Sequence, residues 1–206
     1  MAVQLKTKIT DNDLLALGPD VNAEVIDGEI VIMAANKINH AIYGQQLATY
    51  LNVFVLARGL GWVGGDMGAF KLEEYPEGGI KGARVPDVFY ISYERLPRDA
   101  SLSIIPDFAP DLAVEVISES EAHTEVLKKT QYYLDHGVQQ VWHLIAALRQ
   151  VHVFLPENRS GTHLSDQDIL TGGDLLPGFS IPVRALFDLT DTELHTQTLR
   201  SLLDIA

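Results

Sequence analysis

The run Leu112-Ala113-Val114-Glu115-Val116-Ile117 places one carboxylate among five apolar side chains. An uninterrupted apolar stretch of this length reads as a β-strand buried on both faces. An unpaired ionised carboxylate in such a setting costs several kcal/mol, so it needs a compensating cation or proton. Asp87 has a similar setting, following Pro86 and opening the apolar run Val88-Phe89-Tyr90-Ile91. Two acids on two core strands suggest one shared cation. The expectation is a divalent metal site.

The chain has 206 residues, 47% of them hydrophobic. That fits one domain over 1–206, with a core at about 20–155 and a C-terminal extension of short strands and a helix. Cysteine is absent, which excludes disulfides, thiolate metal sites and cysteine nucleophiles. No apolar run approaches the ~18–20 residues of a membrane span. Met1 to Thr10 lacks an apolar signal core, so a cytoplasmic protein is expected. The net charge of −13 argues against a large non-specific nucleic-acid surface but leaves room for a local groove. Lys81, Arg84, Arg95, Arg98, Lys128 and Lys129 flank the two acids, in a stretch that holds more acids than bases.

Thr10-Asp11-Asn12-Asp13 before Leu14-Leu15 predicts a short capped helix stopped by Gly18-Pro19. Asp27-Gly28 between two alternating runs predicts a hairpin. Apolar residues at helical spacing from Asn36 to Arg58 predict a long, mostly buried helix stopped by Gly59. Short strands follow near Trp62-Val63 and at 69–72. A polar loop at 73–81 then leads into the Asp87 strand. Tyr93 to Pro110 is proline-rich and aperiodic, hence a long loop. Glu121 to His136 reads as a helix stopped by Gly137, and 138–145 and 151–155 as strands joined by a hairpin. Gly172-Gly173 and Pro177-Gly178 read as turns, and 191–203 as a terminal helix.

Gly59-Leu60-Gly61-Trp62-Val63-Gly64 matches the dinucleotide-binding pattern in letters only. That pattern needs a strand before it and a helix after it, and here the order is reversed, so the segment is a turn. The seven histidines contain no His-x-x-x-His pair, and no Gly-x-Ser-x-Gly elbow is present. His40, on the long helix, is the histidine placed to face a site.

Asp87 and Glu115 would supply the hard oxygens that Mg²⁺ or Mn²⁺ prefers, and the backbone carbonyl of Val116 could add a third ligand. A nearby lysine would then orient water or neutralise transition-state charge. Glu125, Lys129 and Tyr133 form one helical stripe at i, i+4 and i+8. Spacing alone equally allows an ordinary Glu-to-Lys pair on a solvated face.

Pro86-Asp87 followed by Glu115-Val116-Ile117-Ser118 resembles the PD-(D/E)XK nuclease superfamily. More narrowly, the chain is similar to a bacterial domain-of-unknown-function family described as restriction endonucleases. The matching features are Glu24-Val25-Ile26-Asp27-Gly28, His40, Arg84-Val85-Pro86-Asp87, Pro110 to Ser118, then Lys129, Tyr133, Gly137-Val138 and Trp142. Together they span roughly residues 10 to 190. The resemblance implies a restriction-endonuclease-like α/β (α+β) fold: a mixed central sheet flanked by helices, with a core of helix, three strands, helix, strand. It implies Asp87 and Glu115 as metal ligands, Glu24 as an additional acid, and a catalytic lysine moved from the strand to the next helix, at Lys129. Glu119 stands where relatives usually have Pro, Glu125 where Asp is common, and Ile145-Ala146-Ala147 where Val-Asp-Pro is common. Glu119 adds negative charge near the phosphate site.

The resulting expectation is a metal-dependent endonuclease hydrolysing DNA with Asp87, Glu115 and Lys129, acting as a homodimer to cut both strands. Leu194, Leu199, Leu202 and Leu203 offer a dimer contact or, equally, core packing. The rival is a catalytically inactive nuclease-like fold that binds nucleic acid or serves as an oligomeric interaction protein.

Overall fold

A computed structural model describes residues 8–18, 20–34, 37–65, 68–119 and 121–204. Its element order is α1 (Asp11–Leu15), β1 (Ala23–Ile26), β2 (Glu29–Ile32), α2 (Ile38–Arg58), β3 (Gly61–Gly65), β4 (Phe70–Glu74), β5 (Ile80–Arg84) and β6 (Val88–Ser92). There follow β7 (Leu112–Val116), α3 (His123–Asp135), β8 (Gln140–Ile145), β9 (Gln150–Leu155), β10 (Asn158–Leu164), β11 (Ile169–Gly172), β12 (Leu176–Pro182) and α4 (Thr192–Leu202).

The main sheet runs β10-β9-β8-β7-β6-β3. Its β7–β8 pair is parallel, and every other pair is antiparallel. The parallel pair needs a crossover, and α3 supplies it. The expected helix, three strands, helix, strand is therefore present as α2, β3, β6, β7, α3 and β8. Between β3 and β6 the chain detours through β4 and β5, which join the first hairpin in a second sheet of order β2-β1-β5-β4.

Side-chain alternation along β7 decides where its carboxylate goes. Leu112, Val114 and Val116 enter the larger core cluster with Leu47, Leu51 and Phe54 of α2, whereas Ala113 enters the cluster beneath α3 with Tyr133 and Leu134. Glu115 therefore faces α3. Both faces of the strand are covered, which is why its sequence is apolar at nearly every position.

Several expectations change. Helix α2 buries one face only, through Gly44, Leu47, Tyr50, Leu51, Phe54 and Val55, while Ile38 and Leu56 are exposed. The polar loop shrinks to 75–79, because Ile80–Arg84 is a strand. Gly82 and Lys81 hide it from a propensity reading, yet Gly82 sits where any side chain would strike the Tyr132 hydroxyl. Pro177-Gly178 lies inside β12 rather than at a turn. The two-stranded β11–β12 sheet has a register irregularity there, and edge strands tolerate a missing N–H. Leu194 and Leu202 of α4 belong to the large core cluster and Leu199 packs against it, so these three leucines are taken up within the chain, whereas Leu203 is 40% exposed.

Helix α1 carries a capping box between Thr10 and Asp13, and Gly59 ends α2 in the left-handed conformation, leading into a strand as the reversed glycine pattern requires. Pro19 and Asn36, expected at a helix stop and a helix start, lie outside the described residues. Among the described residues no helix is long and apolar enough to cross a membrane.

Candidate active site

Strands β6 and β7 pair with Val88 opposite Val114. One step further along that antiparallel register sets Asp87 opposite Glu115. The backbone N–H of Val116 donates to Asp87 Oδ2 at 2.7 Å, which holds the aspartate against the end of β7. His40 of α2 brings Nε2 to 3.3 Å from the same oxygen. Gly44, one turn further along α2, packs beside this approach, where a Cβ would make only ordinary contact with Val116 at 3.5 Å and Val88 at 3.8 Å. Burial alone would lower the His40 pKa, but the Asp87 hydrogen bond and charge, with Glu121 and Glu115, raise it overall.

Helix α3 delivers the other half of the site. Lys129 and Tyr133 are one turn apart and descend onto Glu115, with Lys129 Nζ 2.9 Å from Oε2 and the Tyr133 hydroxyl donating to Oε1 at 2.8 Å. The same ammonium lies 2.9 Å from Oε1 of Glu24, a residue only 3% exposed on β1. Glu24 is held in turn by the Val85 N–H at 3.2 Å and by Arg84, whose Nε is 3.7 Å from Oε2. Arg84 itself donates to the Val25 carbonyl and lies 4.2 Å over the Tyr132 ring. The second sheet thus exists at this site to carry Glu24 and its arginine up to α3.

The electrostatics follow from crowding. Burial first, opposed by Lys129 and reinforced by the neighbouring Asp87 and Glu24 charges, raises Glu115 to about 7 in all. Burial disfavours the Lys129 ammonium, yet Glu115 and Glu24 outweigh that penalty and raise its pKa. Burial and the same two carboxylates hold the Tyr133 phenol well above its ordinary value, so it is a donor only. Asp87, Glu115 and Lys129 line a cleft of about 380 Å³ with His40, Lys37, Ser118, Glu119 and Glu121, while Glu24 and Tyr133 hold Lys129 and Glu115 from outside its lining. A larger cavity of about 590 Å³ lies elsewhere, lined by apolar residues such as Trp62, Phe70, Phe89 and Leu96. None of its lining side chains is titratable, so the chemistry belongs to the smaller cleft.

Glu125 is not brought to the site. It pairs with Lys128 at 2.8 Å, both side chains being at least two-thirds exposed, so the stripe consists of Lys129 and Tyr133 alone. Two contributors escaped a role in the sequence reading. Arg84 had no signal marking it as a support for Glu24, because the two meet only across β1 and β5. Glu121 accepts from the Ser118 N–H at 2.6 Å, and its Ser-x-x-Glu spacing was a legible local signal.

Among the described residues no three or more His, Asp and Glu side chains form a ready-made metal cluster. The donor set that remains is Asp87, Glu115 and the Val116 carbonyl, all hard oxygens, of the kind a magnesium-type ion uses along with water and substrate phosphate. Each carboxylate has about four lone-pair directions, so the hydrogen bonds already made leave room for a ligand. Burial first, and then the Asp87 and Glu24 charges, raises the Glu115 pKa, and an added cation there would oppose all three. The residues fit a hard divalent cation.

No curated protein matches the sequence. The crystal structure of a DUF820 protein from Anabaena variabilis, described as a "putative nuclease", superposes with a TM-score of 0.68 at 20% identity. The match covers 87% of this chain and 97% of that one, and it shows the restriction-endonuclease-like fold. The Uma2 family profile, described as "Putative restriction endonuclease", matches residues 11–184. Most of the chain lies within that match, and the chain belongs to the Uma2 family.

Proposed function

We propose that this protein is a metal-dependent endonuclease that hydrolyses DNA phosphodiester bonds. The observation that carries the reading is the meeting of Glu24 and Glu115 on the ammonium of Lys129, with Asp87 across the strand pair from Glu115 and close enough for its charge to be felt there. A fold built only for stability gains nothing from crowding carboxylates in a cleft, since each costs desolvation and repels its neighbours. Asp87, Glu115 and the Val116 carbonyl would hold Mg²⁺ or Mn²⁺. The bound ion would supply a nucleophilic water near neutral pH and charge stabilisation for the phosphate oxygens.

The chain's own groups have distinct tasks. Lys129 is firmly protonated, so it acts as a charge and donor toward the phosphate and cannot serve as a base. Tyr133 fixes the orientation of Glu115, His40 does the same for Asp87, and Glu24 keeps Lys129 extended into the cleft. Cutting both strands of a duplex is most simply done by a two-fold dimer. The exposed Ile32, Met33 and Ile38, of which Met33 lines the cleft, are one apolar surface for that contact. In this reading the protein acts on DNA in the cytoplasm.

The second reading is a fold that binds nucleic acid or a partner without cutting. Glu119 and Glu121 in the cleft favour it, since both repel phosphate. Plasmid DNA incubated with Mg²⁺ or Mn²⁺ separates the two. Nicking or linearisation that Glu115→Gln abolishes supports the nuclease, and intact plasmid under every metal condition leaves the rival in its place.

A further inference from the structure

The cleft around Lys129 is continuous with a second groove. His40 and Asp87 line both. From Asp87 the second groove, about 400 Å³, runs between α2 and the glycine end of β3. Its α2 wall presents Gln45, Thr49 and Asn52, all exposed and one to two turns apart along one face. Its other wall is Gly64-Gly65. A Cβ on Gly65 would lie 3.1 Å from the Asp87 backbone oxygen, so the glycine keeps the mouth open where the groove meets the acid.

Charge distinguishes the two cavities. The cleft sets four acids, Asp87, Glu115, Glu119 and Glu121, against Lys37 and Lys129, whereas Asp87 is the sole acid lining the groove among the described residues, with no lysine or arginine there. A polynucleotide extends beyond its scissile phosphate, and its next phosphates avoid Glu119 and Glu121. The neutral groove is the exit open to them. Amide and hydroxyl side chains such as Gln, Thr and Asn are ordinary contacts to phosphate and sugar oxygens.

Building on the nuclease reading, we propose that this groove holds the sugar–phosphate backbone of the DNA strand leading away from Asp87, with Gln45, Thr49 and Asn52 as its contacts. Its volume is at the small end of the ~300–1,000 Å³ range of ligand clefts, which suits one strand and not a duplex. Contacts of this neutral kind position the strand without reading its sequence. They also release few counterions, so the wild type shows a shallow salt dependence in this region.

The test is fluorescence anisotropy with a labelled single-stranded oligonucleotide, in EDTA to block cleavage, across a salt series. Asn52→Lys and Thr49→Lys each add one cation to the groove wall at exposed positions. Each is expected to tighten binding several-fold and steepen the log–log salt slope by about 0.7, the value for one added contact to a single strand. Asn52→Glu weakens binding, and Gln197→Lys on the exposed face of α4 leaves both quantities unchanged. Melting curves confirm that each variant is folded. If the wild type binds and Asn52→Lys behaves like Gln197→Lys, the strand runs elsewhere, while plasmid cleavage still upholds the nuclease. A wild type that binds no oligonucleotide overturns the groove, and if plasmid also stays intact, the nuclease reading falls with it.

Discussion

Strand β7 has a buried acid at each end, and the two have opposite surroundings. Asp111, just before the strand, is 1% exposed. It accepts from the Ser92 N–H at 2.7 Å, from Arg95 Nε at 3.0 Å and from the Gln139 amide at 2.7 Å. One carboxylate there meets three donors, one of them a guanidinium. Four residues later, Glu115 shares Lys129 with Glu24 and feels the charge of Asp87 as well. The first acid closes the long 93–110 loop onto the sheet, with Arg95 also donating to the Ala109 carbonyl. The second is held in a deficit of positive charge. Burial of a carboxylate is thus no sign of function by itself; what counts is whether donors or competing carboxylates surround it.

Replacing each acid should therefore have opposite effects on stability. Asp111→Ala strands a guanidinium, a backbone N–H and an amide, and it is expected to cost about 3–5 kcal/mol in urea unfolding, the scale of a broken buried ion pair. Its folded fraction should keep whatever cleavage the wild type has. Equal stability losses for Asp111→Ala and Glu115→Gln would erase the distinction between the two ends.

Lys129→Ala should cut turnover by about 10²-fold or more, the scale of removing one transition-state donor, while the neighbouring Lys128→Ala changes little. Lys128 engages only the exposed Glu125, a pair worth a few tenths of a kcal/mol. Comparable losses in the two variants, read as initial cleavage rates, would remove Lys129 from the chemistry.

The pH dependence of the metal-free protein also separates the regions. The folded Glu115 pKa, about 7, lies above its ordinary value of 4.5, so its contribution to stability is full below 4.5 and is lost as pH rises through 7. Glu115→Gln should then stabilise the metal-free protein above pH 7 by about 1–2 kcal/mol, since one pKa unit is 1.36 kcal/mol. Millimolar Mn²⁺ should raise the melting temperature of the wild type but not of this variant. An unchanged wild-type melting temperature across Mg²⁺ and Mn²⁺ would count against the site.

His143 runs the other way. It is buried on β8 with Nε2 2.8 Å from the Thr130 hydroxyl, and burial first, then the His152, Lys129 and His123 charges, lower its pKa to about 3. Its stabilisation is present above pH 6.5 and is lost as pH falls toward 3. The acid limb of a pH–stability curve should therefore slope by at most ~1.4 kcal/mol per unit for this proton and flatten in His143→Asn. A limb of unchanged slope in that variant would place the acid sensitivity elsewhere.

Periodicity made much of the architecture legible. The apolar run around Glu115, the Asp27-Gly28 hairpin and the Gly59 stop depend on neighbours a few residues away, so a linear reading reaches them. The strand at 80–84 was hidden because its stability comes from pairing with β1 and β4 and from Tyr132 over Gly82, contacts that leave no local mark. Pro177-Gly178 misled for a related reason: the pair bends the chain, but inside β12, in a register irregularity flanked by residues paired with β11.

At the site, the amino-acid sequence alone determined that two carboxylates would be drawn to the core strands, and the structure leaves both partly buried, Asp87 just ahead of β6 and Glu115 within β7. Helical spacing alone determined that Lys129 and Tyr133 share a face. Tertiary structure decided the rest. It chose Lys129 over Glu125 as the neighbour of Glu115, gave Glu24 its place through a second sheet, recruited Arg84 to hold it, and turned the leucines of α4 inward. Each of those outcomes is a contact between residues far apart in the chain, and the free energy of such a contact is set by burial and charge that exist only once the sheets have closed.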